Sequence, residues 1–271
     1  MSAASDLAEF RRKNAVLYDE TQGELWDAIV YDGIHEGRHF INLGGQKLLQ
    51  LAMVWGGSNP SRVLDLGTGH GDGAVHWLDR GASLVTAVDI NENQLRRARE
   101  RAAALARSGR LELVLADINE WQPAHRYDLV TSWDMLMLLP DARRLVRVVH
   151  DALAPGATFV ASTFFAGPGL TDALRARLWE EDGMATFLAP GDYASLASEQ
   201  GLDLVAYEDL STLAAANQRR MVTVIERLIA RDGSAAAQLA TWHEMGLVYL
   251  DALVSGQLTY GAFALRTAPT G

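Results

Sequence analysis

Cysteine is absent from this 271-residue chain. Its absence excludes a disulfide frame, a thiolate nucleophile and a thiolate metal site, and it suits a reducing cytoplasm, the expected location. Long apolar runs are missing too. Although hydrophobic residues make up 49% of the chain, no stretch nears the ~20 residues that cross a bilayer, so no membrane role is expected. Met1 to Phe10 include Asp6 and Glu9 and lack the basic start and apolar core of an export signal.

Positive charge is also in deficit, with 24 basic against 34 acidic residues and a formal net charge of −10. Arginines such as Arg96, Arg97, Arg99 and Arg101 are offset by acids and do not interleave with aromatics into a stripe. Binding to nucleic acid requires several phosphates to be neutralised together. The expected partner is therefore a small molecule.

What the chain does have is a run of glycines at one place. Val63-Leu64-Asp65-Leu66-Gly67-Thr68-Gly69-His70-Gly71-Asp72-Gly73 reads as a buried strand ending near an acid, then a backbone-exposing turn into a helix. Around it, residues 62 to 164 alternate between short β-branched runs and helical patterns. The expected strands are 62–66, 84–88, 111–115, 127–132 and 157–164, and the expected helices are 72–80, 92–107 and 141–153. Such alternation predicts a parallel sheet covered on both faces. Asp141 is placed to cap its helix, and Pro155-Gly156 to stop it.

Beyond the fifth strand the pattern loosens into inserted helical segments. The division expected is a helical N-terminal segment over 1–60, a core over 61–164, a helical insertion over 165–191, a core helix and strand over 192–211, a second helical insertion over 212–256, and a last strand and tail over 257–271. With strands at 203–207 and 257–266 the sheet has seven members.

Two cofactors compete for the glycine loop. Gly69 to Ala74 fits the G-x-G-x-x-A dinucleotide fingerprint, but Asp65 and Asp72 would face a pyrophosphate and repel it. A ligand bearing an ammonium group and no phosphate suits them better. S-adenosylmethionine is such a ligand. Asp89 ends the second strand, where a carboxylate can accept from both ribose hydroxyls. Asp117 can accept from the adenine amino group, with the Ile118 amide beside it, and Ser132 and Trp133 end the fourth strand, where ligands gather.

In these motifs the chain resembles the class I S-adenosylmethionine-dependent methyltransferases. Val63 to Gly71 resembles the family's first motif, Val88-Asp89 the second, Ala116-Asp117-Ile118 the third and Asp128 to Trp133 the fourth; Leu153-Ala154-Pro155-Gly156-Ala157 resembles the turn before the fifth strand. Tyr18-Asp19 and Tyr31 to Gly37 are similar to elements of small-molecule members, among them sarcosine/dimethylglycine, cyclopropane-fatty-acid-like and natural-product enzymes. The resemblance implies a Rossmann-like, doubly wound α/β sheet of seven strands, mostly parallel with the last antiparallel, under a helical N-terminal lid and helical insertions. It implies S-adenosylmethionine as cofactor, held by Tyr18, Asp65, Gly67, Gly69, Asp89, Ile90, Asp117, Ile118, Ser132 and Trp133.

For the acceptor side the reading is less constrained. Tyr31, Met137, Phe164 and Trp242 are the expected pocket residues, while Trp133, Met135 and Met137 serve equally well as core. His35 and His243 are the expected groups for proton removal, because histidine titrates near neutrality. No metal site is expected, since Gly33 and Gly37 interrupt a helix around His35, Glu36 and His39 and the H-E-x-x-H order is absent. The expected function is methyl transfer to N, O or C of a small natural-product or secondary-metabolite acceptor. The alternative is a natural-product cyclase that binds the cofactor without transferring methyl. Oligomeric state stays open, a homodimer included.

Overall fold

The computed structural model describes residues 9, 11–13, 29, 42–103, 109–231 and 236–268. Within them the chain runs α1 (Gln46–Gly56), β1 (Arg62–Leu66), α2 (Asp72–Asp79), β2 (Leu84–Asp89), α3 (Glu92–Arg101), β3 (Leu111–Leu115), β4 (Tyr127–Trp133), α4 (Ala142–Ala152), β5 (Leu153–Ala166), α5 (Asp172–Asp182), α6 (Pro190–Ser198), β6 (Leu202–Asp209), α7 (Ser211–Arg231), α8 (Ala236–Val254) and β7 (Leu258–Thr267). The seven strands form one sheet in the order β3-β2-β1-β4-β5-β7-β6. Strands β1 to β5 pair in parallel, and β7 lies antiparallel between β5 and β6. This is the expected architecture.

Alternation along each strand divides the interior. Val63, Val85, Leu129, Val160 and Ala264 face one side with Trp77 and Ala74 of α2. Leu64, Leu66, Val130, Phe159, Phe263 and Leu265 face the other, where α4 lays down Leu145, Val146 and Val149. Successive strand residues point to opposite faces, so a two-sided apolar sheet needs helices on both sides. Local chemistry sets the helix ends. Asn91 caps α3 by accepting from the Gln94 amide at 3.0 Å, and Asp141 caps α4 through the Arg144 amide at 2.9 Å.

Pro155-Gly156 behaves differently from its expected role as a stop. The helix ends at Ala152 and β5 begins at once, with Leu153 opposite Tyr127 and Thr158 opposite Leu129. Five steps along β5 match two along β4, so the Pro-Gly pair, with Gly156 at φ 74°, forms an irregularity inside the strand.

Strand order reverses between β1 and β4, since β2 and β3 lie to one side and β5 to the other. In open α/β sheets a crevice opens at that point, above the carboxyl ends of the strands.

Candidate active site

The crevice is floored by the loop that leaves β1. Gly67, Gly69 and Gly71 take φ values of 68°, 53° and 81°, a region that side-chain-bearing residues rarely enter. The amides of Gly67 and Thr68 donate to the Val88 carbonyl at 2.9 and 3.0 Å, strapping the loop to β2. A Cβ on Gly67 would stand 2.5 Å from Cγ of Met135. The end of β4 therefore presses directly on the loop.

Asp65 lies beneath the loop, not on its open side. Only 1% of it is exposed; one oxygen accepts from Thr68 Oγ1 and the other from Thr131 Oγ1, each at 2.7 Å. Burial raises its pKa to about 6 against the pull of these two bonds. Asp72, also expected near the cationic end, receives Arg101 Nη1 at 3.1 Å on both oxygens. Its charge is answered by α3.

Asp89 does face the loop. Its Oδ2 accepts from the Gly69 amide at 2.8 Å and its Oδ1 from the Asn91 amide at 2.9 Å, while burial raises its pKa. Asp117 accepts from Asn119 through Oδ1 and from Arg11 Nε at 2.8 Å through Oδ2. Arg11 also reaches Glu120 at 2.7 Å, and Lys13 lies 5.3 Å from the Trp179 ring centre. Residues 11–13 thus bridge from the third-strand end to α5. Ile90 packs at the margin of the larger core and Ile118 is buried within it. Ser132 Oγ donates to the Leu66 carbonyl at 2.9 Å, tying β4 to β1. The buried indole Nε1 of Trp133 has no hydrogen-bond partner among the described residues.

The acceptor-side expectations separate into two places. Met137 and Phe164 belong to the main core beside the crevice; the Met137 carbonyl accepts from the amides of Ala185 and Thr186, and the Phe164 ring sits 5.2 Å from Tyr249 and 5.3 Å from Tyr260. Trp242 packs instead in a satellite cluster with Ile225, Leu239 and Ile29. His243 Nε2 lies 3.1 Å from Glu226 Oε1, linking α8 to α7. Tyr18, Tyr31 and His35 fall outside the described residues.

The residue that sequence reading passed over is Asp134. Directly after β4, it accepts from Ser162 Oγ at 2.5 Å and Tyr260 OH at 2.7 Å on Oδ1, and lies 3.4 Å from the Leu43 amide on Oδ2. It is the one non-glycine residue described with positive φ, at 53°. Its partners lie 28 and 126 positions away, so no local pattern announces them.

The donor set fits a nucleoside-bearing cation better than a dinucleotide. Glycines open the loop, yet carboxylates end β2 and follow β3, and the loop itself holds no lysine or arginine for a phosphate. Residues 63–156 match the family described as "Methyltransferase domain". The core is a class I S-adenosylmethionine-dependent methyltransferase domain. Its cofactor is S-adenosylmethionine.

The methyltransferase core is 30% identical over 155 residues to 27-O-demethylrifamycin SV methyltransferase of Amycolatopsis mediterranei, covering 55% of this chain and 57% of that protein. The chain spans about half the length of the curated relatives it matches. Among solved structures, Haemonchus contortus phosphoethanolamine N-methyltransferase 2 bound to S-adenosyl-L-methionine superposes with TM-score 0.76 at 22% identity, over 96% of this chain and 60% of that one. A methyltransferase from Thiobacillus denitrificans bound to S-adenosyl-L-homocysteine does so with TM-score 0.64 at 17% identity, over 91% and 99%. At these identities the likeness is one of fold.

Proposed function

We propose that this chain transfers the methyl group of S-adenosylmethionine to N, O or C of a small natural-product or secondary-metabolite acceptor. The observation that carries the reading is the meeting of Asp89 with Gly69 at the loop, at 2.8 Å, beside the end of β4. The cofactor supplies an electrophilic methyl on a cationic sulfur. What remains for the protein is to align the acceptor atom with that methyl in a dry space, where positioning supplies most of the rate gain.

Asp89 is the proposed acceptor for the ribose hydroxyls and Asp117, with the Ile118 amide, for adenine. Gly67 and Gly69 give the backbone approach, and Ser132 and Trp133 close the side toward β4. Asp65 acts through the loop that Thr68 and Thr131 tie to it. Phe164, Tyr249 and Tyr260 offer an aromatic wall beside Met137, and α5, α7 and α8 supply the cover. Proton removal, where the acceptor demands it, is assigned to His35 or His243.

Methyl-labelled cofactor, incubated with panels of amine, phenol and carbon acceptors, tests this. Label is expected in an acceptor product with the wild-type chain and not with Asp89→Ala, whose circular dichroism stays native. Cofactor binding with conversion of an acceptor but no transferred label would instead identify a cyclase.

A further inference from the structure

The end of β4 must hold two things at once, the glycine loop below and the acceptor wall above. It does so through a backbone conformation that costs energy. Side-chain-bearing residues rarely enter the left-handed region, and one persists there where surrounding bonds over-determine it. At Asp134 those bonds are visible, since the side chain that follows β4 is drawn back onto β5 through Ser162 and onto β7 through Tyr260.

The network continues outward from both partners. The Tyr260 hydroxyl, which donates to Asp134 at 2.7 Å, also lies 3.2 Å from Ser162 Oγ, and Asp134 Oδ2 lies 3.4 Å from the Leu43 amide in the turn that holds Gly44. The turn that carries Gly44 is itself fixed: Asn42 Oδ1 accepts from the Gly45 amide at 2.6 Å, and Asn217 Nδ2 on α7 donates to the Leu43 carbonyl at 2.8 Å. One carboxylate thus gathers β4, β5, β7 and the turn before α1, and through that turn α7. On its other side the next residue, Met135, fills the space that a side chain on Gly67 would need.

We infer that Asp134 is a positioning residue for the transfer reaction: its carboxylate holds the end of β4 in the left-handed turn that seats Met135 on the glycine loop, and joins that seat to the acceptor wall through Tyr260. The inference rests on the S-adenosylmethionine reading above. Nothing in its geometry requires Asp134 to touch either substrate.

The test is calorimetric binding of S-adenosylhomocysteine, run beside thermal melting, on wild type, Asp134→Ala, Asp134→Gly, Asp134→Asn and Tyr260→Phe. Asparagine tolerates the left-handed backbone and keeps an acceptor oxygen, so Asp134→Asn is expected within threefold of wild-type affinity. Alanine removes both properties and glycine removes only the acceptor; each is expected to weaken binding tenfold or more. Tyr260→Phe, the mildest change, is expected to weaken it three- to tenfold at a temperature where it is fully folded. If Asp134→Gly and Tyr260→Phe bind within twofold of wild type while melting at lower temperature, Asp134 is a structural brace and the inference is overturned; these two variants decide it even where Asp134→Ala does not fold. Failure of wild type itself to bind would overturn the cofactor reading first, and this inference with it.

Discussion

Asp65 shows how far residue type and spacing carry, and where environment takes over. Its position before the glycines ties it to the loop, and Thr68 of the loop donates to it. Its direction is set by tertiary neighbours: Thr131 stands 66 residues away, and only the pairing of β1 with β4 brings it to Oδ1. The consequence is a fully buried carboxyl whose pKa rises to about 6. An unfolded aspartate titrates near 3.9, so between these values the native state binds the proton more tightly than the unfolded chain. Its contribution to stability is therefore complete below about pH 4 and is lost as pH rises through about 6. The two-unit shift corresponds to roughly 3 kcal/mol. Asp65→Asn mimics the protonated form. Urea unfolding from pH 4 to 7.5 is expected to show wild type losing stability against the variant across pH 4 to 6, and a constant difference above 7. A pH-independent difference would mean that Asp65 does not titrate in that window. Asp89 and Asp134 are pushed in the same direction by burial, so the comparison with the variant is what isolates Asp65.

At the scale of elements, the core was legible because its strands are short, β-branched and bounded by acids and glycines. β1 and β3 occupy 62–66 and 111–115 as read, and β2 and β4 extend by one residue. Pro155-Gly156 misled because the helix stop and the strand start fall on adjacent residues, leaving no loop for the pair to occupy. The Asp134 network was hidden for a related reason, that its members belong to four segments. The loop between β1 and α2 is the element on which the proposed function turns, and it makes a sharp prediction. Gly67→Ala introduces strain at φ 68° and also drives a Cβ to 2.5 Å from Met135 Cγ. Gly81→Ala introduces strain at φ 91° with nothing within 4 Å. Both are expected to lose about 1–3 kcal/mol of stability from the backbone alone. Only Gly67→Ala is expected to lose S-adenosylhomocysteine affinity, by tenfold or more in calorimetry. Equal affinities in the two variants would show that the contact between Met135 and the loop has no bearing on the cofactor.

Taken as a whole molecule, the sheet reverses its strand order between β1 and β4, the place proposed for the ligand crevice, and carries helices α7 and α8 between β6 and β7. Ile29 packs with Ile225 of α7 and Leu239 of α8 in a cluster apart from the main core. A ligand held in such a crevice binds the folded state alone, and it raises stability by mass action. At a concentration 100-fold above Kd the gain is about 2.7 kcal/mol, which for a chain of this size raises Tm by roughly 5–10 °C. S-adenosylhomocysteine is expected to do so. NAD, whose pyrophosphate would have to sit at a loop that holds no lysine or arginine, is expected to leave Tm unchanged at the same concentration. The contrast separates two readings of one glycine pattern, because both ligands carry adenosine and only NAD brings phosphates to a crevice ended by carboxylates. A shift with NAD equal to that with S-adenosylhomocysteine would mean that adenosine alone is recognised and that the acids do not select the cofactor.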